Sequence, residues 1–143
     1  MSEWNDKIIR EFRENQGVVG GPFTGMPLLL VTTTGAKSGE KRVNPVAWFP
    51  DGDNRIIVAS KGGAPTHPHW YHNLLKNPRV HVEAATDHGI EEYDAVASIM
   101  PEPERTARYK QIGDERPGFA EYQTETDRKI PLVVLTPGSL LYC

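Results

Sequence analysis

LLLVTTT (residues 28–34), GAKSGEK (35–41) and RVNPVAWF (42–49) follow one another without a break. The first and third pieces are rich in the β-branched and aromatic residues of strands. The middle piece, with Gly35 and Gly39, has the composition of a hairpin loop. Pro45 has no N–H to give a neighbour, so the second strand is expected to lie at an edge or to bulge there. Outward from this hairpin, Pro50 to Asn54 (PDGDN) is a strong turn and Arg55 to Ser60 (RIIVAS) a third strand. After Lys61-Gly62-Gly63, Pro68 starts a helix through Leu75 that Asn77-Pro78 stops. Arg79 to Ala85 and Ile90 to Ile99 pair around the turn from Thr86 to Gly89. A helix from Pro101 to Ile112 is expected to end at Gly113. Pro117 to Thr126 is a loop or a helical turn, and Ile130 to Thr136 is the last strand. The pattern predicts about six antiparallel strands and three short helices. Such a chain is mainly β (α+β), built as a closed or partly open barrel.

The chain of 143 residues fits one domain, 1–143, with an amphipathic helix in 1–16 and a barrel over 17–143. Trp4, Ile8 and Phe12 recur every four residues, with Ile9 beside them, as on one face of a helix over 3–14. That face is expected to pack on the barrel. The competing use is weak membrane contact with Trp4 and Phe12 as wedges, but the polar face has no cationic excess to attract anionic lipid. Sixteen basic and 19 acidic residues give a net charge of −3, which argues against a general nucleic-acid binder. The one cysteine, Cys143, allows no disulfide within the chain. With no secretory pattern and no apolar run of spanning length, the expected place is the cytoplasm, at most peripheral at the inner face of the membrane.

Several familiar patterns are incomplete. Ser38-Gly39-Glu40-Lys41 satisfies S-x-x-K, but its glycines favour a loop and no K-T-G partner occurs. Gly35 to Lys41 lacks the spacing of a phosphate-binding P-loop. His67, His69 and His72 lie close together without a nearby cysteine or carboxylate to complete a zinc set, so no metal is expected. His81 and His88 fall on a strand and a turn.

A basic, glycine-rich constellation is split across two segments. Lys37, Ser38 and Arg42 lie in or beside the first hairpin loop, and Ser60, Lys61, Gly62 and Gly63 follow the third strand. Antiparallel pairing brings them together as a small cationic pocket. Arginine offers a bidentate fork, lysines offer mobile point charges, and glycines let backbone N–H groups approach an anion. The chemistry suits a phosphate-bearing cofactor, and Trp70 can present its ring to a planar group or simply pack in the core.

The strings from Thr33 to Gly39 and Arg42 to Pro45 resemble the deazaflavin (coenzyme F420)-dependent nitroreductase family of actinobacterial type. So do Ala59 to Ala64 with His67 to Leu74, Asn77 to Val80, and Thr126 to Pro131. The resemblance runs from about Gly17 to Pro137. It implies a split β-barrel of the flavin-reductase or FMN-binding type and the anionic cofactor F420. It further implies that Lys37, Ser38, Arg42 and Lys61 surround the phosphate and glutamate tail. Val43, Asn44, Pro45, Ser60, Gly62, Gly63, His69 and Trp70 match positions near the deazaflavin and its ribityl chain. A mobile loop over Arg116 to Tyr122 matches the substrate side, with Ala47, Phe119 and Tyr122 as its pocket. Arg116 and Ala47 stand where nitroimidazole-reducing members carry tyrosine, so nitroimidazoles are expected to be poor substrates. The implied reaction is hydride transfer from the reduced deazaflavin to an activated C=C bond, such as an unsaturated lactone, ester or enone. Quinones or nitro compounds are further acceptors. Ser60 and Tyr122 are candidate hydrogen-bond or proton donors, and an F420-reducing dehydrogenase is the indirect electron source. The alternatives are an FMN or haem protein on the same barrel, and a non-catalytic deazaflavin carrier.

Overall fold

β1 (Leu28–Thr34), β2 (Lys41–Asp51), β3 (Asn54–Val58), β4 (Arg79–Thr86), β5 (Gly89–Ile99) and β6 (Leu132–Pro137) form one barrel in the order β1-β2-β3-β6-β5-β4, closed by β4 against β1. Every neighbouring pair is antiparallel. The computed structural model describes residues 3–19, 27–60, 67–86, 89–126 and 129–137, with side chains from residue 6 onward. Four helices are present among them: α1 (Glu3–Glu14), α2 (His69–Lys76), α3 (Glu104–Glu115) and α4 (Pro117–Thr124).

The apolar run of β1 does not alternate because both faces are covered. Leu29 and Val31 point into the barrel and meet Ile57, Val82, Val133 and Leu135. Leu28 and Leu30 point outward and meet Ile8, Ile9 and Phe12 of α1. On the other side, Ile56, Val58 and Leu132 face outward onto Tyr109 and Ile112 of α3 and Phe119 of α4. Trp70, Tyr71 and Leu74 of α2 join the interior cluster. The apolar stripe of α1 is therefore spent on the barrel, with Phe12 fully buried, and Phe12 is not free to wedge into lipid. The side chain of Trp4 lies outside the described set. No helix among the described residues is long and apolar enough to cross a membrane. Gly17 follows α1 at φ +92°, and a Cβ there would stand 2.6 Å from the Cβ of Ala85. The close approach of α1's end to β4 thus requires glycine.

Two sequence expectations change. Gly113 is not a helix terminus: α3 runs on to Glu115. A Cβ on Gly113 would come 3.1 Å from that of Ala120, so this glycine lets α3 and α4 approach closely. Pro117 to Thr124 is an eight-residue helix, with proline in the first turn where its missing N–H does no harm. The bounds of the other strands and of α2 shift by at most two residues, and β1 falls on the expected residues.

Candidate active site

The hairpin between β1 and β2 forms one wall of a cleft of about 870 Å³; α2 forms the other. Gly35, Ala36, Lys37 and Ser38 of the loop, Arg42 and Asn44 of β2, and His69, Trp70, His72 and Asn73 of α2 line it. Short bonds shape the loop. Gly35 N–H donates to Glu40 O at 2.7 Å, Gly39 N–H to Gly35 O at 3.0 Å, and Glu40 N–H to Ser38 Oγ at 3.1 Å. Asn73 ties the walls together, accepting from Ala36 N–H at 3.0 Å and donating to Thr33 Oγ1 at 3.2 Å. The exposed guanidinium of Arg42 pairs with Glu40 at 3.2 Å. Lys41 instead turns to Thr34 Oγ1, 2.8 Å away, and does not line the cleft. A hollow with Lys37, Arg42 and hydroxyl and amide donors on its rim suits an elongated anion.

Val43 and Pro45 stand differently. The β2–β3 ladder ends at Trp48↔Ile57, although β2 continues to Lys41 beside β1. The chain leaving β3 stays with the other side: Val58 pairs with Leu132, and Ala59 N–H donates to Pro131 O at 3.0 Å. The barrel is split along this line. Trp48 N–H donates to Pro27 O, and Gly35 N–H to Glu40 O. Ladder alternation then makes Thr32↔Val43 and Leu30↔Pro45 non-hydrogen-bonded pairs, whose backbone groups on β2 point away from β1 into the split. The side chain of Val43 packs in the α1 cluster, not in the cleft. Val43 and Pro45 can therefore meet a ligand in the split only through the backbone. Pro45 neither bulges nor breaks the strand, because its missing N–H falls on the unpaired side. Ser60 is buried just past β3. Lys61, Gly62 and Gly63 lie outside the described residues, as does His88.

The expected substrate-side residues converge elsewhere. Ala47, Phe49, Phe119 and Tyr122 belong to one cluster outside the barrel, on the face of β2 opposite Asn44. Phe119 stands edge-on to both Phe49 and Tyr122, with centroids 5.7 Å away in each case. Tyr109 OH donates to Phe119 O at 2.6 Å. The buried Arg105 donates through Nε to Ile130 O at 2.9 Å and through Nη2 to Gln123 Oε1 at 2.5 Å. Gln123 Oε1 also accepts from Ile130 N–H at 3.1 Å. Arg116 is the hinge between α3 and α4, its N–H bonded to Ile112 O and its carbonyl to Phe119 N–H.

Sequence reasoning gave Asn73 no role, weighed His72 only as a metal ligand, and did not single out Tyr109, Arg105 or Gln123. Helical spacing was the available signal for the first two: His69, His72 and Asn73 are three and four apart, on one face of α2. The His67 ring lies tilted against the Tyr71 ring, with centroids 4.5 Å away, and edge-on to His72 at 5.8 Å. His81 lies on the outer face of β4, bonded to Asp94 at 2.8 Å and Glu92 at 2.7 Å, away from the cleft. The hydrogen bond that its ring donates to Asp94 is the first cause raising its pKa; the bond and charge of Glu92 add to it, and partial burial opposes it.

The family model for F420H(2)-dependent quinone reductases matches residues 4–137. The F420H(2)-dependent quinone reductase of Mycobacterium tuberculosis (strain H37Rv) is 40% identical over 129 residues, 87% of this chain and 84% of that protein. The solved F420-H2 dependent reductase FDR-A is 41% identical with a TM-score of 0.64, covering 76% of this chain and 93% of its own. The heme storage protein HutZ of Vibrio cholerae, at 18% identity and a TM-score of 0.59 over 90% of this chain and 87% of its own, shares the fold alone. Basic cleft, split barrel and matched residues agree: this chain belongs to the F420H(2)-dependent quinone reductase family, enzymes whose reductant is the reduced deazaflavin F420H2.

Proposed function

We propose that the protein holds F420H2 with its anionic tail in the hairpin–α2 cleft and reduces a flat conjugated carbonyl acceptor beside α4. The carrying observation is that six of the expected cofactor residues, Lys37, Ser38, Arg42, Asn44, His69 and Trp70, line a single cleft. The residues fit the group: cations and donors at the loop, an indole beside them, and backbone groups of Val43 and Pro45 turned into the adjacent split. Ser60, just past β3 on the other side of that split, belongs to the expected cofactor set, as Lys61, Gly62 and Gly63 do by sequence. When bound, F420H2 supplies a hydride.

The chain's own part is to bind, orient and exclude water. Lys37 and Arg42 neutralise the tail, and Asn73 keeps the loop and α2 at a fixed spacing. Phe119, Tyr122 and Ala47 give a flat acceptor an apolar wall, and small Ala47 leaves room for a wide one. A quinone takes up hydride and a proton to become a hydroquinone, and the first new charge falls on its oxygen. Tyr122 is the hydroxyl assigned to donate a hydrogen bond there. Ser60, two residues past Val58 of the same cluster, is the second such hydroxyl. Unsaturated lactones and enones present the same conjugated oxygen, which makes their C=C bonds acceptors of the same class. An F420-reducing dehydrogenase would regenerate the reductant.

Fluorescence titration with F420 and FMN, followed by steady-state rates on a quinone, an enone and a bicyclic nitroimidazole, tests this. Expected are F420 binding that weakens with salt, much weaker FMN binding, and quinone and enone turnover above that of the nitroimidazole. FMN affinity equal to that for F420 would sink the placement of the tail.

A further inference from the structure

α4 has little to hold it as a helix. Eight residues are too few for independent helical stability in water. No side chain caps its start, and Phe119 is its one buried side chain. It packs on α3 through the Gly113–Ala120 approach. Among the described residues, two polar tethers reach it from α3. Tyr109 OH holds the Phe119 carbonyl near the start of α4. Arg105, itself only 7% exposed, holds Gln123 near its end. Gln123 Oε1 is shared with Ile130 N–H, and Arg105 Nε takes Ile130 O, so the same guanidinium also fixes the segment entering β6. The Arg105 guanidinium further lies 4.8 Å over the ring of Tyr109, which joins the two tethers into one unit. A buried donor left without its acceptor is strongly unfavourable, so each tether has a narrow range of good geometry.

We propose that Arg105 is a positioning residue for the acceptor side: through Gln123 it holds α4 in register with β2, and so sets the wall made by Phe119 and Tyr122. The inference rests on the placement of the acceptor beside α4. It predicts control of the acceptor's KM with no control of cofactor affinity, because neither tether touches the hairpin or α2.

The test uses the full chain with Gln123→Leu, which removes the shared acceptor, and Gln123→Glu, which keeps two acceptor oxygens for Arg105 and Ile130. Hydrogen–deuterium exchange over 117–124, the F420 dissociation constant and KM and kcat with menadione are read together. In Gln123→Leu, exchange is expected to speed at least tenfold and the menadione KM to rise at least fivefold, with the F420 constant within twofold of the parent. Gln123→Glu is expected to restore both. Unchanged exchange in Gln123→Leu overturns the tether wherever the acceptor binds. Faster exchange with unchanged KM overturns the positioning role and the acceptor placement together, while the cofactor placement stands. If Gln123→Leu does not fold, Tyr109→Phe puts the same question at the other tether, with the same outcomes.

Discussion

The hairpin–α2 cleft and the α4 cluster lie on opposite faces of β2 and are built by opposite means. The cleft is charged and open, and its shape comes from short bonds within one loop and from the side-chain clamp of Asn73. The α4 cluster is aromatic and mostly buried, and its shape depends on two polar side chains reaching from α3. Charge on an exposed loop tunes affinity for an anion and is screened within roughly 10 Å at 0.1 M salt. Packing of rings against a short helix tunes shape and is largely indifferent to salt. On the proposed placement, one protein keeps a common cofactor at one end while its acceptor range drifts at the other.

Arg42→Ala should break the contrast most sharply. Loss of a charge-assisted, bidentate partner should raise the F420 dissociation constant about tenfold or more, with Arg42→Lys recovering part of it. Unchanged binding in a fluorescence titration would mean that the tail lies elsewhere. Tyr122→Phe probes the other region. A hydrogen bond to the developing oxyanion is worth about 1–2 kcal/mol, so kcat and kcat/KM should fall together roughly five- to thirtyfold at constant F420 affinity. A rise in KM alone would reduce Tyr122 to a packing surface. Glu40→Gln should act in the opposite direction to Arg42→Ala. Glu40 occupies the Arg42 guanidinium, and on the proposed placement the incoming anion displaces it. Removing an exposed ion pair should tighten F420 binding about two- to fourfold, and high salt should erase the gain. Weaker binding in Glu40→Gln would show that the carboxylate helps rather than competes.

The smallest effect is expected at His81, which belongs to neither region. Its folded-state pKa is raised, first by Asp94 and further by Glu92, while Glu83 beside it is engaged by Arg13 of α1 at 2.8 Å. A raised value means that the protonated ring stabilises the fold fully below its ordinary pKa of about 6.5, and that this is lost as pH climbs through the folded value. His81→Gln should therefore flatten the fall in Tm above about pH 6.5, by under about 1 kcal/mol, because both carboxylates are exposed to solvent. Variant and parent curves that run parallel would remove His81 as the source.

Much of the barrel was legible because β1, β2 and the flanking turns carry strong local signals, and β1 falls on its expected residues. The cationic set was legible too, since a hairpin loop necessarily gathers Lys37, Ser38 and Arg42. What stayed hidden depends on two elements at once. Gly113 looks like a helix end until Ala120 is placed against it, and Pro117–Thr124 has weak amphipathic character because Phe119 is its one buried side chain. The roles of Asn73, Arg105 and Gln123 come from partners 7 to 40 residues away. The split is likewise invisible in sequence, since nothing local says where β2 and β3 stop pairing.

Where β2 leaves β3, residues 41–47 form a strand with one side that no described strand pairs. Such an edge is a template on which another polypeptide can add itself, and proteins that keep one open for a ligand risk self-association. Pro45 sits in the middle of it and offers a carbonyl but no donor, so an added strand would lose a rung there. The residue that looked like a defect in the second strand is thereby a guard: it leaves the edge accessible to a small molecule and poorly suited to a chain.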